Sequence, residues 1–239
     1  MKWQEEGLIL SVRQHGENSA VASLLTRSHG RHAGIIRVSS RNRSLLQPGN
    51  TVQAQWSARL PEHLGTFQLE LVHSPIARIM TESLRLAAMI SLLTILDRLL
   101  AERHPYPSIY DMVVALMQKL TDVSANWLKD YAIFEFRLLE ILGYGLDLSQ
   151  CAATGKQDDL AYISPKSGCA VSREAGLPYA SKLFEIPKFI IVSDEGIIEQ
   201  DDIAKSLKIS GYFLAKYFFN SILPDQRQRL AHLLDHLSA

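Results

Sequence analysis

The stretch Thr51-Val-Gln-Ala-Gln-Trp-Ser-Ala58 sets Val52, Ala54, Trp56 and Ala58 on one face and Thr51, Gln53, Gln55 and Ser57 on the other. A period of two is the mark of a half-buried strand. Working outward, Phe67 to Val72 repeats the pattern, with Phe67, Leu69 and Leu71 set against Gln68 and Glu70. Pro48-Gly49-Asn50 and Leu64-Gly65 supply the breaks before these two strands. Upstream, Gly7 to Arg13 is apolar and extended. Ala20 to Thr26 follows the turn His15-Gly16-Glu17-Asn18, and Ala33 to Val38 follows His29-Gly30-Arg31. Five short strands before Pro75 predict a small closed barrel, and the OB-fold is the commonest five-stranded one.

Downstream of Ile76 the period becomes helical. Thr81 to Glu102 is apolar nearly all round, as befits a buried helix. Ser108 reads as the N-cap of the next helix, with Asp111 three residues on. Ile109, Met112, Val113, Leu116, Met117 and Leu120 form its apolar stripe. A third helix is expected from about Ala125 to Leu142, stopped by Gly143. Residues from about 145 to 195 read as an irregular insertion, with a short strand at Phe189 to Val192. Helices return at about Gln200 to Asn220 and Gln226 to Leu237. The expected class is α+β: residues 1–76 as a nucleic-acid-binding barrel, residues 77–239 as a helical domain with the insertion.

The zero net charge hides an asymmetry. The first 80 residues hold nine basic and five acidic residues; the remainder hold 16 and 20. Between Glu17 and Glu62 there are six arginines, no lysine and no acid. A one-signed stretch on a folded scaffold is the footprint of a polyanion-binding surface, and arginine suits phosphate. Arg13, Arg27, Arg31, Arg37, Arg41, Arg43 and Arg59 are the candidate DNA-binding residues. Trp56 and Phe67 fall on the apolar phase of their strands and belong to the core, so binding is expected to be electrostatic and indifferent to sequence.

Nothing in the sequence reads as a catalytic centre. Gly155-Lys156 lacks the rest of a phosphate-binding loop. Asp158-Asp159 and Asp201-Asp202 fit loop and helix-start chemistry better than a Mg²⁺ site. His232 and His236 are spaced i, i+4 with no third ligand nearby. Cys151-Ala-Ala-Thr154 and Cys169-Ala-Val-Ser172 look like two halves of a zinc ribbon, each with its second cysteine replaced by a hydroxyl residue. The expectation is therefore no enzyme, no metal and no cofactor. Met1-Lys-Trp-Gln-Glu-Glu6 has no apolar run of a secretory signal, and Leu86 to Leu96 is too short to span a bilayer. These features predict a cytoplasmic protein.

An ordered set of segments resembles the RecO family of bacterial DNA repair proteins. In the barrel region these are Glu6-Gly-Leu-Ile-Leu-Ser-Val-Arg13, His15-Gly-Glu17, Thr26-Arg-Ser-His-Gly-Arg31, Leu45-Leu-Gln-Pro-Gly-Asn50 and Leu64-Gly-Thr-Phe67. Further on are Phe136-Arg-Leu-Leu-Glu-Ile-Leu-Gly-Tyr-Gly-Leu-Asp-Leu-Ser-Gln-Cys151 and Tyr162-Ile-Ser-Pro-Lys-Ser-Gly-Cys169. The resemblance implies an OB-fold followed by a helical domain with a zinc-binding region, in which many members carry four cysteines. It implies binding to single- and double-stranded DNA, annealing of complementary strands, and loading of the RecA recombinase onto DNA coated by single-stranded-DNA-binding protein. The implied partners are RecR, RecF, RecA and the acidic, Phe-ended tail of the single-stranded-DNA-binding protein, at the nucleoid. That tail needs an apolar pocket and a cation, for which Arg85, Arg98, Arg103, Lys129 and Arg137 are candidates. The runner-up reading is a generic OB-fold RNA- or DNA-binding module with no recombination role.

Overall fold

The computed structural model describes residues 1–40, 42–60, 62–122, 124–191 and 200–237. It forms two compact units, residues 1–125 with 224–230, and residues 126–223 with 231–239.

In the first unit, β1 (Lys2–Gln14), β2 (Ser19–Thr26), β3 (Gly30–Arg37), β4 (Thr51–Ser57) and β5 (Thr66–His73) close a barrel in the order β1-β2-β3-β5-β4. This is the five-stranded OB arrangement: all neighbours are antiparallel except β3 and β5, which meet in parallel at Ile35 and Thr66. Ile9, Ala22, Leu24, Val52, Ala54, Trp56 and Phe67 fill the barrel, as the alternation at 51–58 predicts. Gly34 lets Phe67 cross it, since a Cβ there would lie 2.6 Å from the ring. Leu8 and Leu10 are buried but alternate with Ile9 onto the opposite face of β1, against which α2 packs.

Strand β1 begins at Lys2 rather than Gly7. Its first half, Lys2 to Leu8, pairs with Ser57 to Thr51 of β4, while Gly7 to Gln14 pairs with Thr26 to Ala20 of β2, with a bulge between Ile9 and Ser11. Closure therefore recruits the polar run Lys2 to Glu6, which has no apolar period to announce it.

Helices α1 (Ile76–Ile79), α2 (Ser83–Leu99) and α3 (Pro107–Thr121) complete this unit together with Pro224–Leu230. Helix α2 stops short of Glu102 because the chain leaves to bond β3: the Arg103 N–H donates to the Arg31 carbonyl at 2.7 Å. Ser108 does not cap α3. Pro107 occupies the first helical position after Tyr106, where its fixed φ is already helical and its missing N–H costs nothing.

The second unit holds α4 (Leu128–Ile141), β6 (Leu160–Ile163), β7 (Ala170–Ser172), α5 (Arg173–Gly176), β8 (Phe184–Glu185), α6 (Lys188–Ile191) and α7 (Gln200–Phe218). The last helix, α8 (Asp225–Leu237), contributes residues to both units. Gly143, at φ +85°, ends α4 as expected, and the Tyr144 N–H donates back to Leu139 at 2.8 Å. The insertion is less irregular than its composition suggests, since β6 lies between β7 and β8 in a small antiparallel sheet. Strands of two to four residues carry too few alternations to be legible. Phe189 to Ile191, expected as strand, is one helical turn started by Pro187; Val192 lies outside the described residues. Among the described residues, no helix is long and apolar enough to cross a membrane.

Candidate nucleic-acid interface

The six candidate arginines among the described residues separate into two sets. Arg31 is the most enclosed, its side chain 22% exposed; its Nε donates to the Leu100 carbonyl at 2.8 Å and its Nη1 faces Asp97 at 3.8 Å. Asp97, on α2, also accepts from Ser11 Oγ at 2.8 Å and, more loosely, from Arg13 Nη2 at 3.4 Å. Arg27 makes a two-pronged pair with Asp111 of α3, at 2.9 and 3.0 Å. The pair holds the Asp111 carboxyl below its ordinary value and raises the Arg27 guanidinium. Asp111 thus serves the barrel rather than its own helix start. Arg27 and Arg31 fasten the barrel to the helices of their unit, whereas Arg13, its side chain 77% exposed, is only loosely held.

Arg37, Arg43 and Arg59 are exposed and have no ion-pair partner among the described residues. Arg41 lies outside the described residues. Arg37 ends β3, and the Asn42 side chain folds the following turn onto it: Nδ2 donates to the Arg37 carbonyl at 2.8 Å, and Oδ1 accepts from the Ser39 N–H at 2.8 Å. The neighbouring β1–β2 turn joins this end of the barrel through Val38 N–H to Asn18 O at 2.9 Å. Arg43 follows directly in sequence, so the fold gathers Arg37 and Arg43. Arg13 pairs across β1 with Val21, and Val21 with Ile35 of β3. It therefore shares the outer face with Arg37, two residues beyond Ile35, at about 12 Å by strand spacing. Arg59 is not brought to this end, because the chain beyond Ser57 runs along the barrel in the opposite direction.

The barrel aromatics are packed together rather than presented. Trp3 stacks on His29, with ring centroids 4.4 Å apart, and lies beside His32, Trp56 and Phe67. His29 Nδ1 meets Glu5 Oε2 at 2.7 Å. His32, buried against Trp56, has no hydrogen-bond partner for either ring nitrogen among the described residues. Burial, reinforced by Arg103 and His29, pushes its imidazole down to about 4.

The family model described as Recombination protein O N terminal matches residues 1–75, and that described as Recombination protein O C terminal matches residues 80–223. The chain belongs to the RecO family. Curated relatives called DNA repair protein RecO include those of Bartonella quintana, 45% identical over 91% of this chain and 89% of the relative, and of Rhodospirillum centenum, 44% identical over 92% and 88%. The Rhodospirillum rubrum relative is 38% identical over the whole of this chain and 98% of its own.

The helical part of this RecO-family chain contains a feature that charge pattern alone does not reveal. An open cleft of about 390 Å³ in the second unit is lined by Ile133, Phe136, Leu146 and Leu148, with Arg137 and Glu140 among its walls. Arg137 Nη1 pairs with Glu140 Oε2 at 2.7 Å, and both side chains are more than half exposed. Of the other cations expected for such a pocket, Arg85 is a structural cap. It is buried, and its guanidinium donates to the carbonyls of Lys119, Leu120, Asp122 and Ala125 at the end of α3. Arg103 donates to the His63 carbonyl at 2.7 Å and lies over Trp56. His232 and His236 bring their Nε2 atoms to 3.2 Å, and no group of three or more metal-binding side chains occurs among the described residues.

Proposed function

We propose that this chain is a cytoplasmic, nucleoid-associated DNA repair protein that works by binding rather than by catalysis. It binds single- and double-stranded DNA through the barrel and anneals complementary strands. It also helps load RecA onto DNA coated by single-stranded-DNA-binding protein, together with RecR and RecF. The observation that carries this reading is the pair of exposed arginines, Arg37 and Arg43, at one end of a closed OB barrel, free of ion-pair partners among the described residues. Arg41, between them in sequence, belongs to the same set. Cations that neutralise phosphates let two strands approach, and packed aromatics leave the base edges free to pair. The names of the relatives support the repair role.

Residues 1–76 carry the DNA-binding activity, and residues 77–239 carry the partner surface. The cleft of the second unit takes the acidic tail of the single-stranded-DNA-binding protein, with its apolar wall for the terminal ring and Arg137 for the carboxylate. The test is annealing of complementary oligonucleotides coated with that protein, either intact or lacking its tail. Annealing of naked strands, and faster annealing of coated strands only when the tail is present, is expected. Binding to RNA and DNA alike without annealing would reduce the chain to a generic OB module.

A further inference from the structure

The barrel holds a column of aromatic rings whose outer end is open. Trp3 of β1 lies directly opposite Trp56 of β4, with ring centroids 6.0 Å apart and planes 18° apart. His29 continues the stack on Trp3 at 4.4 Å and 11°. Phe67 meets Trp3 edge-on, and His32 meets both Trp3 and Trp56 edge-on, so the inner rings are braced from the side. Trp56 is buried, whereas the His29 side chain is 36% exposed. With one face of the imidazole against Trp3, that exposure belongs to its other face and its rim.

The turn that carries His29 is fixed in place. Glu5 grips it twice: Oε1 accepts the Ser28 N–H at 2.9 Å, and Oε2 accepts His29 Nδ1 at 2.7 Å. The His29 N–H donates to Thr26 Oγ1 at 3.1 Å. Gly30, at φ +64°, lets the turn lie against the His104 carbonyl, where a Cβ has no room. The ring is therefore pre-set rather than free to swing away. Two exposed cations stand at the same end, without ion-pair partners among the described residues. Lys2 precedes Trp3 in β1 and pairs with Ser57; Arg59 follows Ala58, whose N–H donates to the Met1 carbonyl at 3.0 Å.

We propose that His29 is a stacking platform for one nucleobase of a single DNA strand, seated on the open end of the Trp56–Trp3–His29 column. The proposal rests on the reading that the barrel holds single-stranded DNA, and it adds a contact that charge does not supply. Every base has a π-face, so such a contact tolerates any sequence. It engages the flat of the base and leaves the pairing edge open, as annealing requires. His29 precedes β3 and Arg37 ends it, about 25 Å apart by strand spacing. A strand of about 15 nucleotides is long enough to engage both ends.

The test compares a fluorescein-labelled oligothymidylate of about 15 nucleotides with an abasic chain of equal length and charge, each titrated by anisotropy. The wild type should prefer the thymidylate by roughly 5- to 10-fold. His29→Ala should bind the two alike, at the wild-type level for the abasic chain and with the wild-type salt slope, because stacking releases no counterions. His29→Phe, which keeps a ring, should retain the preference. Arg37→Ala should do the reverse, weakening both chains while keeping the preference. A wild type that binds both chains alike, a folded His29→Ala that keeps the full preference, or a folded His29→Phe that loses it would each overturn the stacking assignment alone. Failure of the wild type to bind either chain would overturn the DNA-binding reading with it.

Discussion

Arginine identity and local charge mark a basic surface, yet they do not say which guanidinium is free. Arg13 and Arg31 share Asp97, and Arg27 is held by Asp111, a residue 84 positions away in sequence. Such partners come from helices laid beside the barrel, so an acid-free stretch in sequence is not acid-free in space. Asp97 is the hub, with its side chain 8% exposed. Asp97→Ala should destabilise the chain by about 2 kcal/mol in urea titration, because Ser11 loses its acceptor and Arg31 its nearby countercharge in a poorly solvated place. It should leave the salt dependence of DNA binding unchanged; a shifted dependence would put Arg13 and Arg31 on the DNA. His32 makes a second prediction. Its folded value near 4 lies below the ordinary 6.5, so the folded state resists protonation. Its contribution is intact above pH 6.5 and is lost as the pH falls toward 4, at a cost of about 3 kcal/mol. Stability measured across that window should fall in the wild type and flatten in His32→Phe. An equal slope in both would assign the loss to other groups, such as Glu5, whose carboxyl is lowered.

At the scale of elements, legibility followed the number of periods an element contains. Strand β4 and helix α3 repeat their apolar positions often enough to be read directly, and both are where expected within a residue or two. The first five residues of β1, the strands β6 to β8 and the single turn of α6 are stabilised by what they pair with, and a short window of sequence cannot express that. The cleft beside α4 was equally hidden. Arg137 could be listed among the helical cations, but its apolar company comes from both α4 and the chain at 145–148. Its pairing with Glu140 yields a prediction of opposite signs. Arg137→Ala should weaken binding of an acidic, Phe-ended peptide by roughly 10-fold, because the carboxylate loses its cation. Glu140→Gln should tighten it by roughly 2- to 5-fold by removing a competing anion from an exposed pair. Fluorescence anisotropy of a labelled peptide reads both, and equal affinities in all three proteins would place the tail elsewhere.

For the molecule as a whole, the fold class was legible because two periods, two residues and then 3.6, divide the chain, and the barrel closes as five strands require. The proposed DNA surface was legible only in outline: its sign comes from composition, and the exposure of Arg37 and Arg43 from the fold. DNA should be held chiefly by the cations at the β3 end of the barrel, with little base readout. The most direct test is the salt dependence of binding to a single-stranded oligonucleotide, for wild type and for Arg37→Ala/Arg41→Ala/Arg43→Ala. Each lost phosphate contact on a single strand removes about 0.7 from the log–log slope, so the triple variant should be shallower by about 2, alike for every sequence tried. A folded triple variant that binds with the wild-type slope would move the DNA path off this end of the barrel.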